Sequence, residues 1–139
     1  MTRWFRAGAI GLLVVAVLHT FGHFGGGPKD PARIQIEEAM NAYRFDIMGM
    51  HPSASDITNS LSLMMTIMLV FAGVLDLIVV GALSGNGRVL RRLAWVNAVG
   101  VGALAALFAY YRIPPPMATL AVVCLFFVVA ALRPAARRF

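Results

Sequence analysis

The chain has 139 residues, 60% hydrophobic and 13% charged, with a mean hydropathy of +0.79. A water-soluble domain carries about 25% charged residues, so this composition excludes a water-facing surface over most of the chain and makes lipid its main solvent. Twelve Lys and Arg stand against six Asp and Glu, a formal charge of +6, but the excess sits in short flanks of apolar segments. There it orients a chain in a membrane and does not point to nucleic acid as a partner.

The first apolar segment covers about Trp4–Phe24, behind Arg3 and Arg6. It is longer than a signal-peptide core and has no small-x-small cleavage site behind it, so it reads as a retained span. Gly25-Gly26-Gly27-Pro28 stops this helix. Asp30-Pro31 then reads as an N-cap and first helical residue. Ala32, Ile36, Ala39, Met40 and Tyr43 follow at helical spacing, with Arg33, Glu37, Glu38, Asn41 and Arg44 opposite. This predicts a short amphipathic helix over about 31–44, lying on the outer membrane surface or capping the bundle, within an outer loop of 25–56.

Ser53 or Ser55 can cap the second span, about Ile57–Leu83, with Asp56 near its positive end. The third span covers about Val89–Tyr111. Pro114-Pro115-Pro116 makes a stiff turn into the fourth, about Pro115–Leu132, and Pro134 follows its end. A hydrocarbon core of ~30 Å needs about 20 helical residues, and each segment meets or approaches that. With no backbone partner in lipid the spans must be helices, since the alternating strands of a barrel are absent. The expected fold is an all-α membrane protein, one domain built as a four-transmembrane-helix bundle. Its single cysteine, Cys124, excludes an intrachain disulfide.

Arg3, Arg6, Arg88, Arg91, Arg92, Arg133, Arg137 and Arg138 fall on one side of such a bundle. Lys29, Arg33, Arg44 and Arg112 fall on the other. The positive-inside rule then places both termini in the cytoplasm, in a bacterium across the inner membrane. Lipid gives helices no hydrophobic reason to associate, so small and polar residues must mark the contacts. Ala98, Gly102 and Ala106, Ala7 with Gly11, and Gly8 with Leu12 and Ala16 are the expected faces, within one chain or between copies of a homo-oligomer. Asp76 and Asn97 fall at similar depth and are expected to pair, as a structural clamp or as a proton or cation relay.

The chain has three histidines, all near the outer membrane face. His19 and His23 differ by about 400° of helix rotation and so share one face, with His19 about one turn deeper. His51 lies in Met48-Gly49-Met50-His51. Asp56, Asn59, Ser60 and Ser62 at the start of the second span, and Tyr110, Tyr111 and Arg112 at the end of the third, are expected at the same level, so that four chain regions line one polar pocket. Imidazoles at i and i+4 with a third ligand can hold a transition metal, and the thioethers of Met48 and Met50 would favour copper. Histidines in helical bundles also ligate haem. His19-Thr20-Phe21-Gly22-His23 lacks the glutamate of the zinc-protease motif.

The order of parts resembles a group of small uncharacterised bacterial four-span membrane proteins. The resemblance is carried by His19, Asp30-Pro31-Ala32, Tyr43-Arg44-Phe45 leading to Gly49, and Ser55-Asp56. It implies the architecture and no activity, so no catalytic residues follow from it. Three functions compete. The first is a binding or accessory membrane protein whose outer pocket holds a metal, haem, quinone or lipid, alone or in a larger membrane complex. The second is an oligomeric small transporter or channel using Asp76 and Asn97. The third is a membrane enzyme with histidine acid/base chemistry.

Overall fold

The computed structural model describes residues 1–26 and 30–133. Gly27, Pro28 and Lys29, and Pro134, Arg137 and Arg138 at the other end, lie outside the described residues. Five helices follow in chain order: α1 (Thr2–Phe24), α2 (Pro31–Ala42), α3 (Ala54–Ala82), α4 (Gly87–Tyr110) and α5 (Pro114–Leu132). There are no strands among the described residues, and α1, α3, α4 and α5 are each long and apolar enough to cross a membrane. Apolar side chains such as Ile10, Val17, Phe71, Ile78, Val99 and Leu125 are more than half exposed on these four helices, which is compatible with an integral membrane protein.

The helix starts are built from short polar side chains. Asp30 accepts from the Arg33 backbone N–H at 2.7 Å ahead of Pro31. Ser53 and Asp56 form a reciprocal capping box at α3: Ser53 Oγ accepts from Asp56 N–H at 3.0 Å, and Asp56 Oδ2 accepts from Ser53 N–H at 2.9 Å. Ser53, not Ser55, is therefore the cap. Asn86 caps α4 through the Val89 N–H, and α5 opens on Pro114, one residue earlier than expected.

Two connections depart from the sequence expectation. First, α2 ends at Ala42 rather than running to Arg44. Residues 43–54 instead fold back as a tight hairpin, with Tyr43 O accepting from Ala54 N–H and Phe45 N–H donating to Pro52 O, both at 3.0 Å. Ile47 and Met50 exchange both backbone hydrogen bonds across Met48 (φ 52°) and Gly49 (φ 80°). Two successive positive φ values make this a type I′ turn. Second, α4 ends in a Schellman motif: Ile113 N–H donates to Phe108 O at 2.9 Å and Arg112 N–H to Ala109 O at 3.1 Å. Arg112, at φ 55°, holds the left-handed position that glycine usually takes there.

α1 packs against both α3 and α5, α5 packs against α4, and α2 rests on α3. Along α1 the buried positions Phe5, Ala9, Leu12 and Ala16 alternate steps of four and three; Leu69, Gly73, Asp76 and Val80 do the same on α3. Such a repeat of about 3.5 residues is the seam of helices packed knobs-into-holes. The pair is antiparallel, since Thr20 meets Thr66 near one end while Gly73 meets Leu13 and Ala9 further along. Continued by the same steps, the seam reaches His19 and His23 on α1 and Ser62 and Thr66 on α3.

Glycine sets the closeness of these contacts. A Cβ on Gly8 would lie 2.8 Å from the Phe127 ring, one on Gly11 2.8 Å from Val123 Cγ2, and one on Gly73 3.0 Å from the Ala9 carbonyl oxygen. Gly8 and Gly11, one from each of the two α1 faces expected, thus both meet α5, whereas Gly73 of α3 is met by Ala9 and Leu13, which lay on neither expected face. On α4 the expected stripe is displaced. The buried side chains are Leu90, Ala94, Ala98, Val101 and Ala105, Ala106 is exposed, and Gly102 sits at the edge near Cys124 Sγ. Alternating steps of four and three follow a helix contact better than uniform steps of four, which drift around the helix. Phe5 and Phe127 cross edge-to-face at 5.4 Å in the core.

Candidate ligand site at the histidine end

α1 places His19 and His23 on its seam, and α3, running the other way, brings Ser62 between them. His19 Nε2 lies 3.2 Å from the Ser62 carbonyl oxygen and 3.0 Å from Ser62 Oγ, while Ser62 Oγ lies 3.1 Å from His23 Nδ1. Donor counting fixes one end of this chain. A carbonyl oxygen only accepts, so His19 Nε2 carries hydrogen. That hydrogen is shared between the Ser62 carbonyl and Oγ, and the bond between Ser62 Oγ and His23 Nδ1 runs in the direction set by the His23 tautomer. Thr20 Oγ extends the polar strip, donating to Ala16 O at 2.9 Å and reaching Thr66 Oγ at 3.4 Å.

His19, His23 and Ser62 line a cavity of about 550 Å³. Its other walls are apolar, including Val15, Leu18, Met65, Phe108 and Ile113, with Pro115, Pro116 and Thr119 from α5. Phe108 and Ile113 reach the wall through the Schellman motif, because they are the residues whose backbones it joins. Thr119 Oγ is occupied within its own helix by the Pro115 and Pro116 carbonyls. Two histidines and one serine therefore provide the open hydrogen-bonding chemistry of the cavity.

The remaining expected site residues lie elsewhere. His51 is exposed in the hairpin, where its backbone carbonyl accepts from Arg44 Nη1 at 3.2 Å. Met48 is 96% exposed at the tip of the turn, and Met50 is exposed beside it. The copper set of His19, His23, His51, Met48 and Met50 is not assembled, and no cluster of three or more His, Cys, Asp or Glu suited to a metal occurs among the described residues. Asp56 is engaged as a helix cap and lies 3.8 Å from Arg44 Nη1. Asn59 Nδ2 turns back to Ser55 Oγ at 3.5 Å. Tyr110, 80% exposed, stacks edge-to-face with Tyr111 at 5.1 Å, and Arg112 is committed to the turn; none of the three borders the cavity. Sequence reasoning placed Ser62 among the polar residues at the start of the second span but did not single it out as the one that joins the two histidines.

Asp76 and Asn97 do meet: Asn97 Nδ2 donates to Asp76 Oδ1 at 3.0 Å. Asp76 is 8% exposed, and its Oδ2 is buried without a hydrogen-bond partner among the described residues. Beside the pair, between α3 and α4, lies a cleft of about 540 Å³ that Asn97 lines with otherwise apolar neighbours such as Met68, Leu69 and Leu104. From Thr66 to Asp76 is about 15 Å along α3, and the seam residues between them, Leu69 and Gly73, are apolar. The histidine cavity and the Asp76 pair are thus separate polar features. Comparison with protein families, with curated proteins and with solved structures finds no match for this chain, so its functional reading rests on this chemistry.

Proposed function

We propose that this protein is a binding or accessory protein of the bacterial inner membrane. In this reading the four apolar helices form a transmembrane bundle, α2 lies at the outer surface, and the cavity of His19, Ser62 and His23 receives a small ligand at the outer membrane face. The observation that carries it is Ser62 tying both histidines into one wall of an otherwise apolar cavity. Ligand pockets characteristically combine such apolar walls with a few placed polar groups. The orientation follows from Arg3, Arg6, Arg88, Arg91, Arg92 and Arg133 at the end opposite the histidines, against Arg33, Arg44 and Arg112 at the histidine end. Asp76 and Asn97 act as a packing clamp, since the apolar seam residues Leu69 and Gly73 separate them from the polar strip that ends at Thr66.

The test is native mass spectrometry with elemental analysis of full-length protein extracted gently from its membrane. Wild type is expected to carry one small molecule enriched over bulk lipid, and Ser62→Ala to lose it. Phe108→Trp, which fills the cavity from its apolar wall, should lose it as well. Identical adducts on wild type and both variants would sink the proposal.

A further inference from the structure

The histidine cavity does not end at its own walls. Val15, Leu18 and Thr119 also border a second cavity of about 620 Å³, a groove between α1 and α5. Its lining is apolar apart from Thr119 and continues past Val14, Ile10 and Val122 to Ala7 and Phe126. From Leu18 to Ala7 is about 17 Å of helix, more than half of a ~30 Å hydrocarbon core. A compact polar site thus lies beside a long apolar groove with which it shares three wall residues.

The polar end selects for a neutral group. No Lys, Arg, Asp or Glu lines either cavity among the described residues, so a phosphate headgroup or a haem propionate would find no counter-charge. With His19 Nε2–H and His23 Nδ1 both engaged at Ser62, two ring positions remain. In the neutral rings His19 Nδ1 can accept one hydrogen bond, and His23 Nε2 donates or accepts according to its tautomer. A head with two hydroxyl groups, each able to donate and to accept, matches that pair, whereas two carbonyl oxygens would leave His19 Nδ1 without a donor.

The geometry points to an isoprenoid quinol as the occupant, its ring hydroxyls at His19 and His23 and its tail along the α1–α5 groove. This inference rests on the binding reading above and adds the ligand's class. A tail already in lipid gains no hydrophobic energy by entering the groove, so its contribution is packing and is modest. The head provides selectivity.

The experiment uses full-length Trp95→Phe protein in mild detergent, so that Trp4, whose ring packs 5.9 Å from Phe126 at the far end of the groove, is the single reporter. The change in Trp4 emission is titrated with a prenylated benzoquinol kept reduced. Displacement is followed with the tail-less benzoquinol and with phosphatidylglycerol. The prenylated quinol should bind about tenfold more tightly than the tail-less head, and phosphatidylglycerol should not displace it. Ala118→Phe, which fills the groove from an exposed position, should remove that tenfold advantage while leaving the tail-less head unaffected. Ser62→Ala should weaken both quinols. Equal binding of both quinols would overturn the tail assignment and leave the pocket reading standing. Displacement by phosphatidylglycerol, or no quinol binding by a protein that still carries another small molecule lost in Ser62→Ala, would overturn the ligand class alone. Quinol binding indifferent to Ser62→Ala would remove this site for the ligand and the pocket reading with it.

Discussion

Ser62→Ala is the most direct test of the histidine-end architecture. The substitution removes one hydroxyl that joins His19 at 3.0 Å and His23 at 3.1 Å, and leaves the Ser62 carbonyl to accept from His19. Hydrogen bonds between membrane helices average about 0.6 kcal/mol each and reach about 1.7 kcal/mol. Two lost contacts should therefore cost about 1.2 kcal/mol, with His23 left more exposed to the loss because Ser62 Oγ is its one hydrogen-bond partner in the strip. A double-mutant cycle isolates the bond. Ser62→Ala, His23→Ala and the double variant are unfolded reversibly by detergent titration, and the coupling energy is read from the departure from additivity. A coupling of about 0.6 kcal/mol is expected. Additivity within about 0.3 kcal/mol, the level shown by independent sites, would refute a direct Ser62–His23 hydrogen bond and with it the hydrogen-bonded chain on which the site reading is built.

Three further predictions concern the frame around the site. Gly73→Ala forces a Cβ to 3.0 Å from the Ala9 carbonyl oxygen and should destabilise by about 1–3 kcal/mol, whereas Gly100→Ala meets nothing within 4 Å and should stabilise α4 by about 0.5–1 kcal/mol; thermal melts of the two variants should shift in opposite directions. Arg112→Gly relieves a side chain from the left-handed region and should raise stability by about 1 kcal/mol without changing the ligand complement seen by native mass spectrometry, whereas loss of the ligand would give the Arg112 side chain a binding role. Asp76→Asn preserves an oxygen acceptor for Asn97 and should melt within a few degrees of wild type, while Asp76→Leu, which strands the Asn97 amide, should lose about 1–2 kcal/mol. Equal losses in Asp76→Asn and Asp76→Leu would show that the acid itself is required and would argue against a simple clamp.

Composition and apolar run length were sufficient for the helical, membrane-compatible architecture, because a backbone in lipid has almost no alternative to helices. The four long helices lie within a few residues of the spans read from the sequence, and caps such as Asp30 and Asn86 act locally, through side chains three residues from the N–H they satisfy. The Asp76–Asn97 meeting was also legible, since equal depth on antiparallel helices leaves two polar groups few other partners. The histidine site was only partly so. His19 and His23 share a face by helix geometry alone, but their partner is chosen by the rotation and register of α3, which the close contact of Gly73 with Ala9 and Leu13 helps to fix. Ser62 is one of several hydroxyls at the start of α3, and nothing local distinguishes it from Ser60, which bonds back to Ile57 O. Similarly, Met48-Gly49 looks like a soft-metal motif when read by residue type, and becomes a type I′ turn once the flanking chain folds back on itself. Length, hydropathy and helical period determined the spans and the shared face of two histidines. Only tertiary packing decided which side chains that face meets, because contacts between helices depend on register and rotation, which no single segment encodes.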